Sequence, residues 1–358
     1  MNALKFEINA EENILRLEKD LKNKTYRPSR SVLFFAKKPK LREIFAADFR
    51  DRVVHHILTG YLEPIFEKIF IYDSYSCRQG KGTHKAVRRL RDFIRKVSKN
   101  GKVRAYYLQL DIKSFFANID KEILFGLIRK RIKNKDVLWL AEVIIFHDCT
   151  KNYILKDKEG LSKQLPQDKS LFGKENKKGI PIGNLTSQFF ANVYLNELDQ
   201  FVKHNMRCRY YARYTDDLVF LSNSKEKLAN WIEQIRKFLA SRLRLRLNPG
   251  RTRLKVVSNG IDFLGYIVRR NYILVRKRVI NNMDMRLRYF EDCRYGGVSN
   301  KGLDYEMLES LRSSLQSYLG HFRWADSYRL RENLLNRKIV ADYFEMKGYR
   351  LVRKYRKR

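Results

Sequence analysis

Cysteine is scarce in this 358-residue chain, and its four copies, Cys77, Cys149, Cys208 and Cys293, lie far apart. That spacing excludes a paired zinc-site motif, so they read as free thiols of a reducing compartment. Long apolar runs are also missing, and Met1 to Phe6 lacks the basic-then-apolar layout of a signal peptide. The expectation is a soluble cytoplasmic protein with no membrane partner. Acidic residues are the third shortage: 39 Asp and Glu face 76 Lys and Arg, a formal charge of +37. Such a field favours a polyanionic partner, nucleic acid first, although charge alone also suits a ribosomal-type binding protein or a cationic membrane-surface protein. What the chain does have is 44% hydrophobic and 13% aromatic residues. It can therefore bury a substantial core, in two or three subdomains, and intrinsic disorder is excluded.

Periodicity predicts an amphipathic helix over 9–23, with Asn9 and Glu12 as a capping box and Ile14, Leu17 and Leu21 on one face. A strand runs through Tyr107, Gln109 and Asp111, within 104–116, and Asp120 then caps a helix carrying Ile123, Leu127 and Ile128. Residues 156–179 are polar, Lys-rich and punctuated by Gly160, Pro166, Gly173 and Gly179, the composition of an exposed loop inserted in the core. A long helix follows Gly183 to about His204. Strands at 209–213 and 218–221 then flank Thr215-Asp216-Asp217, a hairpin with acids at its tip. A helix over 225–242 precedes short strands at 244–247, 254–257, 261–268 and 272–275, with Asn259-Gly260 as a turn. Beyond Arg276 the pattern is helical, Leu308, Leu311, Leu315, Tyr318 and Phe322 falling at three- and four-residue steps. The last twelve residues are basic without an acid, as in a solvated tail or a nucleic-acid contact.

Neighbouring carboxylates at a hairpin tip repel one another unless a cation or several donors compensate. Asp111 closes a Leu-Gln-Leu-Asp strand about a hundred residues before the Asp216-Asp217 pair. Carboxylates converging from separate strands are what two divalent ions need to activate a 3′-hydroxyl and stabilise a leaving pyrophosphate. The expected cofactor is a pair of Mg2+ ions, with Mn2+ as a substitute.

With Asp111, Phe115-Phe116 and Tyr214-Thr215-Asp216-Asp217 in this order, the chain resembles the reverse transcriptase family over roughly residues 26–335. The resemblance implies an α+β right-hand polymerase fold: an N-terminal helix and fingers over 1–100, palm with part of the fingers over 101–276, a helical thumb over 277–346 and a basic tail over 347–358. It further implies two-metal nucleotidyl transfer, with Asp111, Asp216 and Asp217 as catalytic metal ligands. Phe116 matches the ring that excludes a 2′-hydroxyl, so deoxynucleoside triphosphates are the implied substrates. Of the two adjacent phenylalanines one is expected in the core, since neighbouring strand residues face opposite ways. Arg42 matches a fingers arginine on the incoming triphosphate, a bidentate guanidinium task; a surface salt bridge is the alternative. Arg78 and Lys81, with Gly80 and Gly82, resemble a block serving template contact or fingers closure, and a merely basic turn is the alternative. Phe263-Leu264-Gly265-Tyr266 resembles the primer grip. The family's lysine motif shows Arg251 here, a poor general acid because its pKa is so high.

Within the family, Ile182-Gly183-Asn184-Leu185-Thr186-Ser187-Gln188 resembles the reverse transcriptases of diversity-generating retroelements, in which Ile182, Gly183, Gln188 and Tyr214 join the substrate-side positions. Most relatives carry Gln where Ile182 stands. The blocks Asp48–His56, Leu62–Phe66 and Ser317–His321 look similar too. Such enzymes, prokaryotic or phage-encoded, copy a template-repeat RNA into cDNA with errors opposite adenine, beside an oligomeric accessory variability protein. The nearest alternatives are a group II intron-like or a defence-associated reverse transcriptase, against which stands the expectation that no maturase or endonuclease extension follows the thumb. An alternative of another class is a non-catalytic RNA-binding protein that keeps the fold.

Overall fold

A computed structural model describes residues 3–37, 40–157, 160–175, 177–295, 303–348 and 350–354. In chain order the elements are α1 (Ala3–Ile8), α2 (Ala10–Lys22), β1 (Ser31–Ala36), β2 (Arg42–Ala46), α3 (Phe49–Glu67), α4 (Thr83–Val97), β3 (Tyr106–Asp111), α5 (Phe115–Asn118), α6 (Lys121–Arg129), α7 (Lys135–Phe146) and β4 (Tyr153–Lys156). They continue with α8 (Leu185–Gln200), β5 (Tyr210–Tyr214), β6 (Asp217–Ser222), α9 (Lys225–Leu243), β7 (Arg253–Val256), β8 (Ile261–Phe263), β9 (Tyr266–Val268), β10 (Ile273–Val275), α10 (Lys277–Tyr295), α11 (Tyr305–Phe322), α12 (Tyr328–Leu335), α13 (Lys338–Tyr343), β11 (Phe344–Lys347) and β12 (Arg350–Arg353). No helix among the described residues is long and apolar enough to cross a membrane.

Helices begin where a short polar side chain accepts the free N–H groups of a first turn. Asp48 accepts from Arg50 N, Asp120 from Glu122 N and Ile123 N, Asn134 from Asp136 N and Val137 N, and Asp304 from Met307 N. The capping box expected at Asn9 and Glu12 does not form. Asn9 precedes α2 but its side chain makes no capping bond, and Asn13 instead donates to the carbonyl of Phe6 in the preceding short helix.

The chain folds into two compact units, each woven from separated segments: Met1–Gly82, Leu108–Phe220 and Lys225–Leu254 form the first, and Thr83–Tyr107, Leu221–Ser224 and Lys255–Arg358 the second. In the first, β1 pairs antiparallel with β2 and parallel with β4 over a core of Leu33, Phe45 and Cys149. Helices α3 and α8 meet through the edge-to-face rings of Phe66 and Phe189, 5.6 Å apart. The described residues of the polar stretch 156–179 are mostly exposed, yet the stretch is tied down at one point. Buried Glu43 of β2 accepts from Ser170 Oγ at 2.7 Å and from Leu171 N at 2.9 Å.

A four-stranded sheet in the order β5-β6-β3-β7 carries both acidic sites. Strand β3 stops at Asp111, sooner than its alternation suggests, because Ser114 turns the chain in the left-handed region (φ 47). Phe115 and Phe116 therefore lie on the short helix α5, not on a strand. The strand expected at 244–247 reduces to one bridge between Leu247 and Ile112.

In the second unit β8, β9 and β10 form an antiparallel sheet. The single strand expected over 261–268 is broken into two by a left-handed turn at Leu264 (φ 52) and Gly265 (φ 89). Helices α10 and α11 bury Leu287, Phe290, Leu311, Leu315, Leu319 and Phe322 in one cluster, joined by Phe344 and Leu351 of the β11–β12 hairpin. Part of the expected tail is thus strand, while Tyr349 and residues 355–358 lie outside the described residues.

Candidate active site

The backbone after β3 is clamped before any side chain is considered. Lys113 N donates to Arg246 O at 2.9 Å and Asn248 N to Asp111 O at 2.8 Å, so the 246–248 segment fixes the direction in which Asp111 leaves the sheet. The residue is buried, and its carboxylate accepts from Asn248 Nδ2 at 2.8 Å and from Arg251 Nη1 at 3.1 Å.

The second pair of acids occupies the tight turn between β5 and β6. Thr215 is left-handed (φ 54), and its hydroxyl donates to Ser76 Oγ at 2.7 Å. Desolvation first, then the negative charges of Asp217 and Asp111, push the Asp216 carboxyl up to about 7. That influence shows the three expected carboxylates gathered in one electrostatic neighbourhood. Basic groups complete it. Arg42 acts against the rise at Asp216, and Lys40 is lowered by burial and by Arg251 while Asp111 and Asp217 pull it back up.

The donor set is all carboxylate oxygen, the hard ligand type of Mg2+ and Mn2+, and the crowding at Asp216 is the repulsion that a divalent ion relieves. Among the described residues no three His, Cys, Asp or Glu side chains stand as a formed metal cage. Asn248 and Arg251 each hold one oxygen of Asp111.

Beneath the turn lies a polar network that the sequence did not disclose. Arg213 of β5 is fully buried and meets Asp199 of α8 through Nε at 2.9 and 3.0 Å and Nη2 at 2.7 Å. Its Nη1 reaches Asn192 Oδ1 at 3.1 Å and the carbonyl of Thr215 at 3.2 Å. Tyr211 donates to Asp199 as well, and Asn192 donates to the carbonyl of Ser76 at 2.8 Å. The turn bearing Asp216 is thus held from both sides. An Arg inside the apolar string Tyr-Tyr-Ala-Arg-Tyr and an Asp near the end of an apolar helix were the available signals.

Of the other expected positions, Arg42 is exposed on β2, next to buried Glu43. The same strand receives the Ile182-Gly183 segment. Phe45 N donates to Ile182 O at 2.9 Å, and Ala47 N donates to Asn184 Oδ1 at 3.1 Å. Gly183 sits at φ +125, where a Cβ would come within 3.0 Å of Phe45 O, so only glycine lets the two backbones meet there. Gln188 is exposed one turn into α8, and Tyr214 is half-buried at the end of β5. Phe115 is buried and Phe116 half-buried, and Phe116 O accepts from Ile180 N at 3.0 Å. The strand argument for separating the two rings fails, because a helix separates them instead.

Arg78 faces inward. It forms a bidentate pair with Glu67 at 2.8 and 2.7 Å and donates to the carbonyls of Ile71 and Ser74, a buckle on its own loop. Lys81 donates to Tyr72 O and lies 3.4 Å over that ring. Phe263, Leu264 and Gly265 belong to the second unit. There Gly265 O accepts from Arg276 N, and Tyr266 stacks on His321 at 4.0 Å.

Comparison with known proteins bears on the family and the fold. Residues 35–268 match the family described as reverse transcriptase (RNA-dependent DNA polymerase). Protein YkfC of Escherichia coli (strain K12) is 25% identical over 70% of this chain and 68% of its own length. Group II intron-encoded protein LtrA of Lactococcus lactis subsp. cremoris is 24% identical over 73% of this chain, which spans about half of LtrA, 50%. An apo telomerase structure from Candida tropicalis, truncated from its C-terminal domain, superimposes with a TM-score of 0.50 at 14% identity over 69% of this chain and 55% of that one. That likeness shows the fold alone, the right-hand polymerase fold with mixed helix and antiparallel sheet. The chain belongs to the reverse transcriptase family, and its enzyme class is RNA-directed DNA polymerase.

Proposed function

We propose that this polymerase makes adenine-mutagenic cDNA from a template-repeat RNA in a diversity-generating retroelement. The observation that carries the reading is the Ile182–Gln188 segment, whose backbone is bonded to β2, the strand of Arg42. An apolar side chain stands at 182, where most relatives have a glutamine. Losing a hydrogen-bonding group beside a nascent base pair removes discrimination where pairing is already weak.

Asp111, Asp216 and Asp217 are the groups that would hold two magnesium or manganese ions. When bound, such ions activate the 3′-hydroxyl and stabilise the leaving pyrophosphate. The chain's own residues do the rest. Arg42 grips the triphosphate of the incoming deoxynucleotide, Phe116 closes the space of a 2′-hydroxyl, Gly183 lets the segment approach β2, and Gln188 and Tyr214 border the substrate. The Leu264–Gly265 turn, in the second unit, contacts the primer. Lys81 meets the template, whereas the internal bonds of Arg78 support a role in shaping its loop.

Primer extension on the template-repeat RNA, with deoxynucleotides, magnesium and the oligomeric accessory protein supplied, tests the chemistry. Asp216→Asn is expected to lose about a thousandfold or more in rate, several kcal/mol of transition-state stabilisation. Persistent activity would sink the metal assignment, and RNA binding without any extension by the native chain would favour the binding-only reading. The subtype is tested separately by sequencing cDNA from Ile182→Gln. Fewer errors opposite adenine with polymerisation retained are expected. An unchanged error spectrum would favour an intron-type reverse transcriptase, the reading that the likeness to an intron-encoded protein supports.

A further inference from the structure

An open cavity of about 710 Å3 lies wholly within the second unit, between the turn after α4 and the β9–β10 turn. Its size is that of a small-molecule cleft, enough for a nucleotide with its phosphates. Three guanidiniums, Arg104, Arg269 and Arg270, line it, and among the described residues no carboxylate does. Because β8, β9 and β10 are antiparallel, the β9–β10 turn lies at the opposite end of that sheet from the Leu264–Gly265 turn. The cavity is therefore not the primer-grip position, and none of its residues belongs to the unit that carries the three carboxylates.

Two of the arginines are held in place by hydrogen bonds. Arg270 donates to the carbonyl of Asn100 and to Asn271 Oδ1, and its own carbonyl accepts from Arg95 Nε at 3.0 Å. A Cβ on Gly101 (φ +90) would collide with the Arg270 guanidinium, so glycine is what lets that side chain cross the turn. Arg269 donates through Nη1 to Ser258 O at 2.7 Å, while its Nε is buried without a hydrogen-bond partner among the described residues. An unmet guanidinium donor in an acid-free cavity is costly, and an anionic oxygen is the group that would relieve it. Tyr272, 40% exposed, offers a ring at the rim beside the amide of Asn271.

We infer that this cavity binds the phosphodiester backbone of a single-stranded nucleic acid, with a base stacked on Tyr272. Guanidiniums for phosphate, a ring for a base and an amide for a base edge are the chemistry of single-strand recognition. The cavity is a second anchor for the strand, apart from the acids that define the polymerase site.

The test compares the full chain with Arg104→Ala/Arg270→Ala and with a control of equal charge loss, Lys133→Ala/Lys237→Ala, both exposed on the first unit. Anisotropy is read with labelled oligouridylate and oligodeoxythymidylate across a salt titration. The pocket variant is expected to bind about tenfold more weakly and to lose about 1.4 from the log–log salt slope, near 0.7 for each phosphate contact removed. Loss of affinity for uridylate alone makes RNA the ligand, and equal loss with both makes any single strand the ligand. A response no larger than that of the control with both strands overturns the inference. Photocrosslinking of a 4-thiouridine strand to the native chain provides a readout independent of folding in the variant. Crosslinks are expected in the peptide that contains Tyr272, and their absence there overturns the inference equally.

Discussion

Two arginine–aspartate pairs in the first unit use the same chemistry for opposite ends. Arg213 and Asp199 have side chains wholly removed from solvent and share three hydrogen bonds. Arg251 and Asp111 share one, at 3.1 Å, with side chains 42% and 10% exposed. Burial makes the first pair obligatory, since either partner alone would be an uncompensated charge in a low dielectric. Exposure makes the second exchangeable, because a hydrated guanidinium leaves a carboxylate at little cost, as the proposed binding of a divalent ion would require. One pair builds the turn that bears Asp216, and the other covers an acid that would have to be uncovered in the proposed metal-holding role.

Breaking the buried pair should have the largest effect. Arg213→Met strands the Asp199 charge and should destabilise the fold by about 3–5 kcal/mol. Urea unfolding is the measure, and Arg213→Met/Asp199→Leu should recover most of the loss. Retention of native stability in the single variant would show that the pair is not structural.

A buried group without a counter-charge sharpens the contrast next. His55, 5% exposed, is pushed down to about 4, by desolvation and then by His56, His147 and Arg52. Unfolded, its pKa returns to about 6.5, so as pH falls below that value the unfolded chain takes the proton first. The contribution of neutral His55 is complete above pH 6.5 and declines toward pH 4, by about 3 kcal/mol at most. Stability measured from pH 7 to 4 should fall less steeply in His55→Leu than in the native chain.

The exposed pair should respond least. Arg251→Gln removes a cation that competes for Asp111, and the magnesium concentration for half-maximal extension should drop about threefold, on the scale of a surface ion pair. An increase would mean that Arg251 assists the ion or the triphosphate instead of competing.

Legibility in the sequence followed the range of the interaction. Asp120 as a cap and Asp216-Asp217 at a tip are local, and each could be placed from its neighbours in the chain. Phe115 and Phe116 were misplaced on a strand because a left-handed Ser114 carries no propensity signal strong enough to end one. Arg213 and Asp199 are fourteen residues apart, on a strand and a helix, and their pairing depends on packing that no window of sequence contains. Arg78 resembled a ligand-facing arginine by its surroundings, yet Glu67, eleven residues earlier, takes its guanidinium. The β11–β12 hairpin hid among charged residues, its buried positions being only Phe344 and Leu351.

The bond from Glu43 to the 170–171 segment has a consequence for how this protein can be altered. By composition, residues 160–175 look like a spacer whose length and content are free. Yet the acid they satisfy is the immediate neighbour of Arg42, on the opposite face of the same strand. Trimming the segment, or exchanging it for one of similar polarity, would leave a bare carboxylate in the core and put strain on the register of β2. If Arg42 holds the triphosphate as proposed, loop engineering would be felt first as a change in nucleotide handling, in a part of the chain that no one had edited.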